Sequence, residues 1–72
     1  MMSTTETSGA LWVAYGASGV TGSIRKSGEG AYTVTMAGAS EPLGTYPTMD
    51  IAKRALHAHM PSGSDWPTFT EH

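Results

Sequence analysis

The sequence predicts an α+β domain: a three-stranded antiparallel sheet packed against one C-terminal helix, followed by an ordered apolar tail. Three observations carry this reading. Tyr32-Thr33-Val34-Thr35-Met36 alternates apolar and polar side chains with period two, as a strand with one buried face must. Between Met49 and Met60 the apolar residues recur with the period of an amphipathic helix. Gly, Pro and Ser gather between these segments, where the chain has to turn.

Taken in order, Met1 to Gly9 is Ser/Thr-rich, carries Glu6 and has no apolar run behind basic residues. It reads as a flexible tail and not as a secretory signal, which leaves residues 10–70 as the single domain. Leu11-Trp12-Val13-Ala14-Tyr15 is apolar throughout and rich in aromatic and β-branched types, which favour strand. Val20 to Lys26 alternates, with Val20, Gly22, Ile24 and the stem of Lys26 on one side and Thr21, Ser23 and Arg25 on the other. Ser27-Gly28-Glu29-Gly30 is a turn that pairs this segment with Tyr32–Met36 as a hairpin. After the Ala37–Pro42 loop, Leu43-Gly44-Thr45-Tyr46 is a third strand of the sheet, short enough to suit an edge.

Pro47 precedes the helix. Thr48 is its expected amino-terminal cap, and Asp50 in the first turn complements the positive end of the helix dipole. Met49, Ala52, Ala55, Leu56 and Met60 share one face, with Ile51 at its margin. Asp50, Lys53, Arg54 and His57 fill the other, and Pro61 with Ser62-Gly63-Ser64 ends the helix. The tail Asp65-Trp66-Pro67-Thr68-Phe69 is too apolar to stay in solvent. Trp66 and Phe69 are expected to fold back over the sheet–helix seam or to form a patch for a partner.

Composition narrows the function. A chain of 72 residues with 39% apolar content builds a thin core. It has no cysteine, so neither disulfides nor thiolate metal sites support that core. The net charge is −2 with only four Lys and Arg, whereas nucleic-acid binders concentrate positive charge on one face. No apolar run reaches the roughly 18 residues needed to span a bilayer, and the expected compartment is the cytoplasm.

The sharpest motif is Gly16-Ala17-Ser18-Gly19-Val20-Thr21-Gly22, behind the apolar run Leu11–Tyr15. It resembles the glycine fingerprint of extended short-chain dehydrogenases and related dinucleotide-binding proteins. That chemistry places a pyrophosphate on the N–H groups of a long helix following the last glycine. Here only Ser23-Ile24-Arg25-Lys26 precedes the next turn, so the motif reads as a glycine-rich hairpin loop and no nicotinamide cofactor is expected. Ser18 lacks the second glycine of a nucleophile elbow, because Val20 stands there. His57 and His59 are two apart and would point some 200° apart on a helix, so they share no metal. His59 projects toward the apolar face. Its expected place is near the helix end, partly covered by Trp66 and bonded to a carbonyl.

Two resemblances add context. Gly22-Ser23-Ile24-Arg25-Lys26, Tyr32-Thr33-Val34 and Gly44-Thr45-Tyr46-Pro47-Thr48, leading into a helix with Ala52 and Ala55, resemble the arm-binding domains of phage-type integrases. That likeness implies a three-stranded sheet plus one helix, with the sheet entering a DNA major groove. The family's sheet is studded with Arg and Lys, whereas Thr33 and Thr35 stand at outward positions here. The carboxyl half, Leu43–Pro47 through Ala55–His59 to Gly63–Pro67, is similar to a family of very small uncharacterised proteins of actinobacteria and their phages. No activity comes with that second resemblance.

The expected function is therefore a small non-enzymatic interaction module that binds a protein partner or itself. No catalytic residue, metal or cofactor is assigned, and the candidate contacts are Trp12, Trp66 and Phe69, since aromatics dominate interface energetics. The alternative is nucleic-acid binding through the sheet, centred on Arg25 and Lys26.

Overall fold

A computed structural model describes residues 10–27 and 30–72. The expected tail over 1–9 and the middle of the Ser27–Gly30 turn lie outside the described residues. The strands are β1 (Leu11–Gly16), β2 (Gly19–Lys26), β3 (Tyr32–Met36), β4 (Gly44–Tyr46) and β5 (Thr68–Glu71), with helix α1 (Met49–Ala58) between β4 and β5. All neighbours are antiparallel and the sheet order is β4-β3-β2-β1-β5. The first four strands form a meander. The helix then carries the chain back across the sheet, so that β5 lies beside β1 at the far edge.

The α+β class holds, but the sheet has five strands and not three. Two segments account for the difference. Leu11–Gly16 sits inside the sheet, paired on both sides, with Trp12 and Ala14 turned toward the core. The tail does more than cover a seam: Thr68–Glu71 pairs with Trp12–Tyr15, and the ordered structure continues to Glu71. Its pairing satisfies backbone groups that would otherwise leave β1 as an exposed edge. Short Leu43–Tyr46 does stand at an edge, as β4.

Register then decides what is buried. Trp12, Ile24, Val34 and Gly44 are cross-strand neighbours in one row, and Phe69, Ala14, Gly22 and Met36 form the next. The helix packs on this face. Ala14, Ile24, Val34, Ala52 and Leu56 are fully buried, with Trp12, Tyr32, Met36, Leu43, Tyr46, Met49, Met60 and Phe69 packed around them. Ile24, Val34 and Leu56 are the largest of the buried side chains, so the core is as thin as the chain length implies.

The helix docks closely because Gly22 has no side chain. A Cβ there would stand 2.8 Å from the Thr35 carbonyl oxygen and 3.2 Å from Leu56 Cδ1. Leu56 thus occupies the hollow above the strand. This is what the third glycine of the apparent fingerprint does in this fold.

The hairpin between β1 and β2 explains one misplaced side chain. Gly16 pairs with Gly19 across the two-residue loop Ala17-Ser18. Among the described residues no non-glycine has a positive φ, so this loop lacks the mirror-image turn geometry that matches strand twist. Gly19, at φ +121°, and a register shift opposite Ala14/Tyr15 take up the difference. Past the shift Val20 pairs with Tyr15 and is 53% exposed, instead of sharing the inner face with Gly22 and Ile24. A period-two count cannot foresee a bulge, which puts the side chains on its two sides out of phase, here Val20 against Gly22 and Ile24.

The helix starts as expected. Thr48 Oγ1 accepts a hydrogen bond from the Ile51 N–H at 3.1 Å, and Asp50 pairs with Arg54 on the solvent side at 3.2 Å. Its end is tightened by His59 N–H to Leu56 O and Met60 N–H to His57 O, after which Pro61 cannot continue it. Among the described residues no helix is long and apolar enough to cross a membrane.

Candidate functional site

Three parts of the chain converge at one end of the sheet. They are the Gly16–Ser18 turn, the carboxyl end of α1 with Met60 and Pro61, and the connection through Ser64, Asp65 and Trp66 to Thr68. Between them lies an open cleft of about 400 Å³, completed by Tyr15 and Thr21. Each wall has a local cause. Gly16 carries no side chain, and a Cβ there would meet Thr21 Cγ2 at 2.9 Å. Gly63, at φ +85°, with the bonds from the Ser64 N–H and Oγ to the Pro61 carbonyl, turns the chain back toward β5. Pro67 is buried and anchors that return.

Trp66 is held at the rim by its neighbours. The His57 ring lies 5.0 Å from it, and the Phe69 ring meets it edge-on at 6.4 Å. Even so, Trp66 remains 52% exposed. His57 Nε2 is bonded to the Ser64 carbonyl oxygen at 2.9 Å and must donate there, which fixes the ring beneath the indole. Next to it Lys53 Nζ stands 5.1 Å from the centre of the Phe69 ring.

The two histidines have therefore exchanged the positions expected of them. His57, read as outward-facing, is half-buried under Trp66, whereas His59 is exposed and bonded through Nδ1 to the Ala55 carbonyl at 3.2 Å. A helical projection cannot show this, because β5 and the segment before it cover the flank that carries Lys53 and His57. The carbonyl bond expected of His59 is present; the Trp66 cover is not.

Of the three aromatic candidates, Trp66 and Phe69 are in contact. Trp12 lies on the same side of the sheet but is partly buried, tilted against Tyr32 at 6.2 Å. The Arg25 and Lys26 pair is split between the faces. Lys26, in the row of Tyr32 and Tyr46, lies 5.9 Å from the centre of the Tyr32 ring on the helix side. Arg25 alternates onto the opposite face, in line with Leu11, Thr33 and Thr45. That uncovered face also carries Val13, Ser23, Thr35 and Thr70, and Thr33 Oγ1 is 3.0 Å from Thr45 Oγ1.

The Gly16–Gly22 motif forms an antiparallel hairpin, and β2 continues as strand to Lys26, so no helix amino terminus follows the glycines. Ser18 lines the cleft, but no histidine does, and among the described residues Ser18 Oγ takes part in no side-chain hydrogen bond. Tyr15 and Asp65 line the cleft, and sequence reasoning assigned neither of them to a partner-binding site. The adjacency Asp65-Trp66, an acid beside an indole in a segment too apolar for a free tail, was the available signal. Comparison with protein-family models, curated protein sequences and solved structures returns no match.

Proposed function

We propose that this chain is a small non-enzymatic interaction module that contacts a protein partner through the rim of the cleft, with Trp66 as its anchor. One observation carries the reading. In a domain whose core is too small to waste apolar surface, its second indole is left 52% exposed beside a concave wall. Exposed tryptophans held rigidly by neighbours are the side chains that anchor interfaces. Phe69 supports the indole from below and belongs to the site as its buttress. Trp12, packed against Tyr32, serves the core.

Nucleic-acid binding through the sheet is less well supported. Of the four Lys and Arg, only Arg25 stands on the uncovered face; Lys26 lies over Tyr32, Lys53 over Phe69, and Arg54 pairs with Asp50.

The test compares tagged full-length protein with its Trp66→Ala variant in capture from extract, with and without nuclease, after both are checked for folding by amide dispersion. A protein partner retained by the parent after nuclease and lost by the folded variant supports the reading. Equal capture by both removes Trp66 as the anchor. Recovery of nucleic acid, with loss of all co-purifying protein on digestion, favours the sheet instead.

A further inference from the structure

Charge and ring placement around the cleft select a partner chemistry. Asp65 is the one ionisable carboxylate or cation among the lining residues, and it is exposed. Among the described residues it makes no ion pair; the acid that does is Asp50, with Arg54. The domain's own amines lie elsewhere: Lys26 is placed over Tyr32 and Lys53 over Phe69. Tyr15 and Trp66, the aromatic rings that line the cleft, have neither lysine nor arginine over them; their titratable neighbours are His72, whose Nε2 lies 3.4 Å from the Tyr15 hydroxyl, and His57, whose ring packs on the indole. A carboxylate without an ion pair that lines one cleft with two aromatic rings attracts a cation from outside, and the ring faces add to that attraction. Hydroxyls of Ser18, Thr21 and Ser64 supply acceptors for the N–H groups that a guanidinium or ammonium brings. The volume, about 400 Å³, is near the lower end for ligand sites and suits one long side chain, not a helix or strand.

We infer that the cleft receives an arginine or lysine side chain from an exposed segment of the partner, with Asp65 as counter-ion and Trp66 and Tyr15 as ring contacts. This rests on the interaction reading and narrows it to a basic partner segment.

The test is a chemical-shift titration of the full-length, isotopically labelled chain with end-blocked Gly-Arg-Gly, Gly-Lys-Gly and Gly-citrulline-Gly. Citrulline keeps the shape of arginine without its charge. The expected result is saturable movement of the Gly16–Ser18 and Ser64–Trp66 amides and of the Trp66 indole N–H with the charged peptides. Their dissociation constant should be on the order of 10 mM, with no saturation by the citrulline peptide. Asp65→Asn, an exposed and near-isosteric change, should weaken binding about fivefold. Salt at about 1 M, where the Debye length is about 3 Å, should weaken it as well.

Equal binding of arginine and citrulline peptides, movement confined to residues outside the cleft, or no movement at all overturns the inference. The two proposals fail separately. If Trp66→Ala loses a captured partner while Asp65→Asn keeps it and the peptides show no charge preference, the interaction module stands and the cation cleft falls. If the charged peptides bind as described while Trp66→Ala still captures every partner, the cleft is a cation site and Trp66 is not the anchor.

Discussion

Replacing Gly22 by alanine tests the packing that holds helix and sheet together. The added Cβ would stand 2.8 Å from the Thr35 carbonyl oxygen, 3.3 Å from Met36 Cα and 3.2 Å from Leu56 Cδ1. Two of those neighbours are backbone of β3 where it pairs directly with β2, and the third is fully buried, so none moves freely. Overpacking of this kind costs about 1–3 kcal/mol. Against it stands the gain of about 0.5–1 kcal/mol when a strand-interior glycine becomes alanine. Gly22 does not adopt a left-handed φ, so alanine meets no backbone strain there. The expected net loss is about 1–2 kcal/mol, or a fall in Tm on the order of 5–15 °C for a domain of this size. Thermal and urea unfolding followed by circular dichroism measure it. Gly44→Ala is the matched control, because its Cβ would meet the Tyr46 hydroxyl at 2.9 Å, the far end of a side chain and not strand backbone. It should change stability by less than about 0.5 kcal/mol. If Gly22→Ala is as stable as its parent, or more so, Leu56 does not sit over β2 and the helix placement is wrong.

Further expectations concern single contacts. Thr48→Ala removes the acceptor for the Ile51 N–H and should cost about 1 kcal/mol in urea unfolding, while Thr48→Ser should keep most of it. Asp50→Asn breaks only a solvent-exposed pair with Arg54 and should shift stability by less than about 0.5 kcal/mol. Phe69→Ala withdraws the ring that packs against the core from β5 and supports Trp66, and should cost about 2–3 kcal/mol with loss of hydrogen-exchange protection in β5. An unchanged exchange pattern would mean that β5 is held by its backbone bonds alone.

Legibility followed locality. The helix between Met49 and Ala58, its Thr48 cap and its stop at Pro61 could all be read because each depends on neighbours within one turn. The same holds for Tyr32–Met36, which forms a strand with Val34 fully buried at its centre. At the site, Trp66 and Phe69 were visible as apolar residues in a tail with no reason to carry them. Tyr15 was not, because a cleft assembled from residues some fifty positions apart leaves no local pattern, and Asp65 was marked only by its place beside Trp66.

What the sequence by itself determined is thus the class of the fold, the type of nearly every element and the hairpin formed by the glycine motif. These are consequences of periodicity, caps and turn residues, which act over a few bonds. Tertiary structure alone decided that Thr68–Glu71 becomes a fifth strand. Thr-Phe-Thr-Glu turns into strand only where β1 offers a row of unpaired backbone groups. It also decided the bulge that turns Val20 outward and the burial of His57 beneath Trp66. Each of these depends on which surfaces meet across the sheet, and long-range pairing is settled by the whole core, not by the segment that joins it.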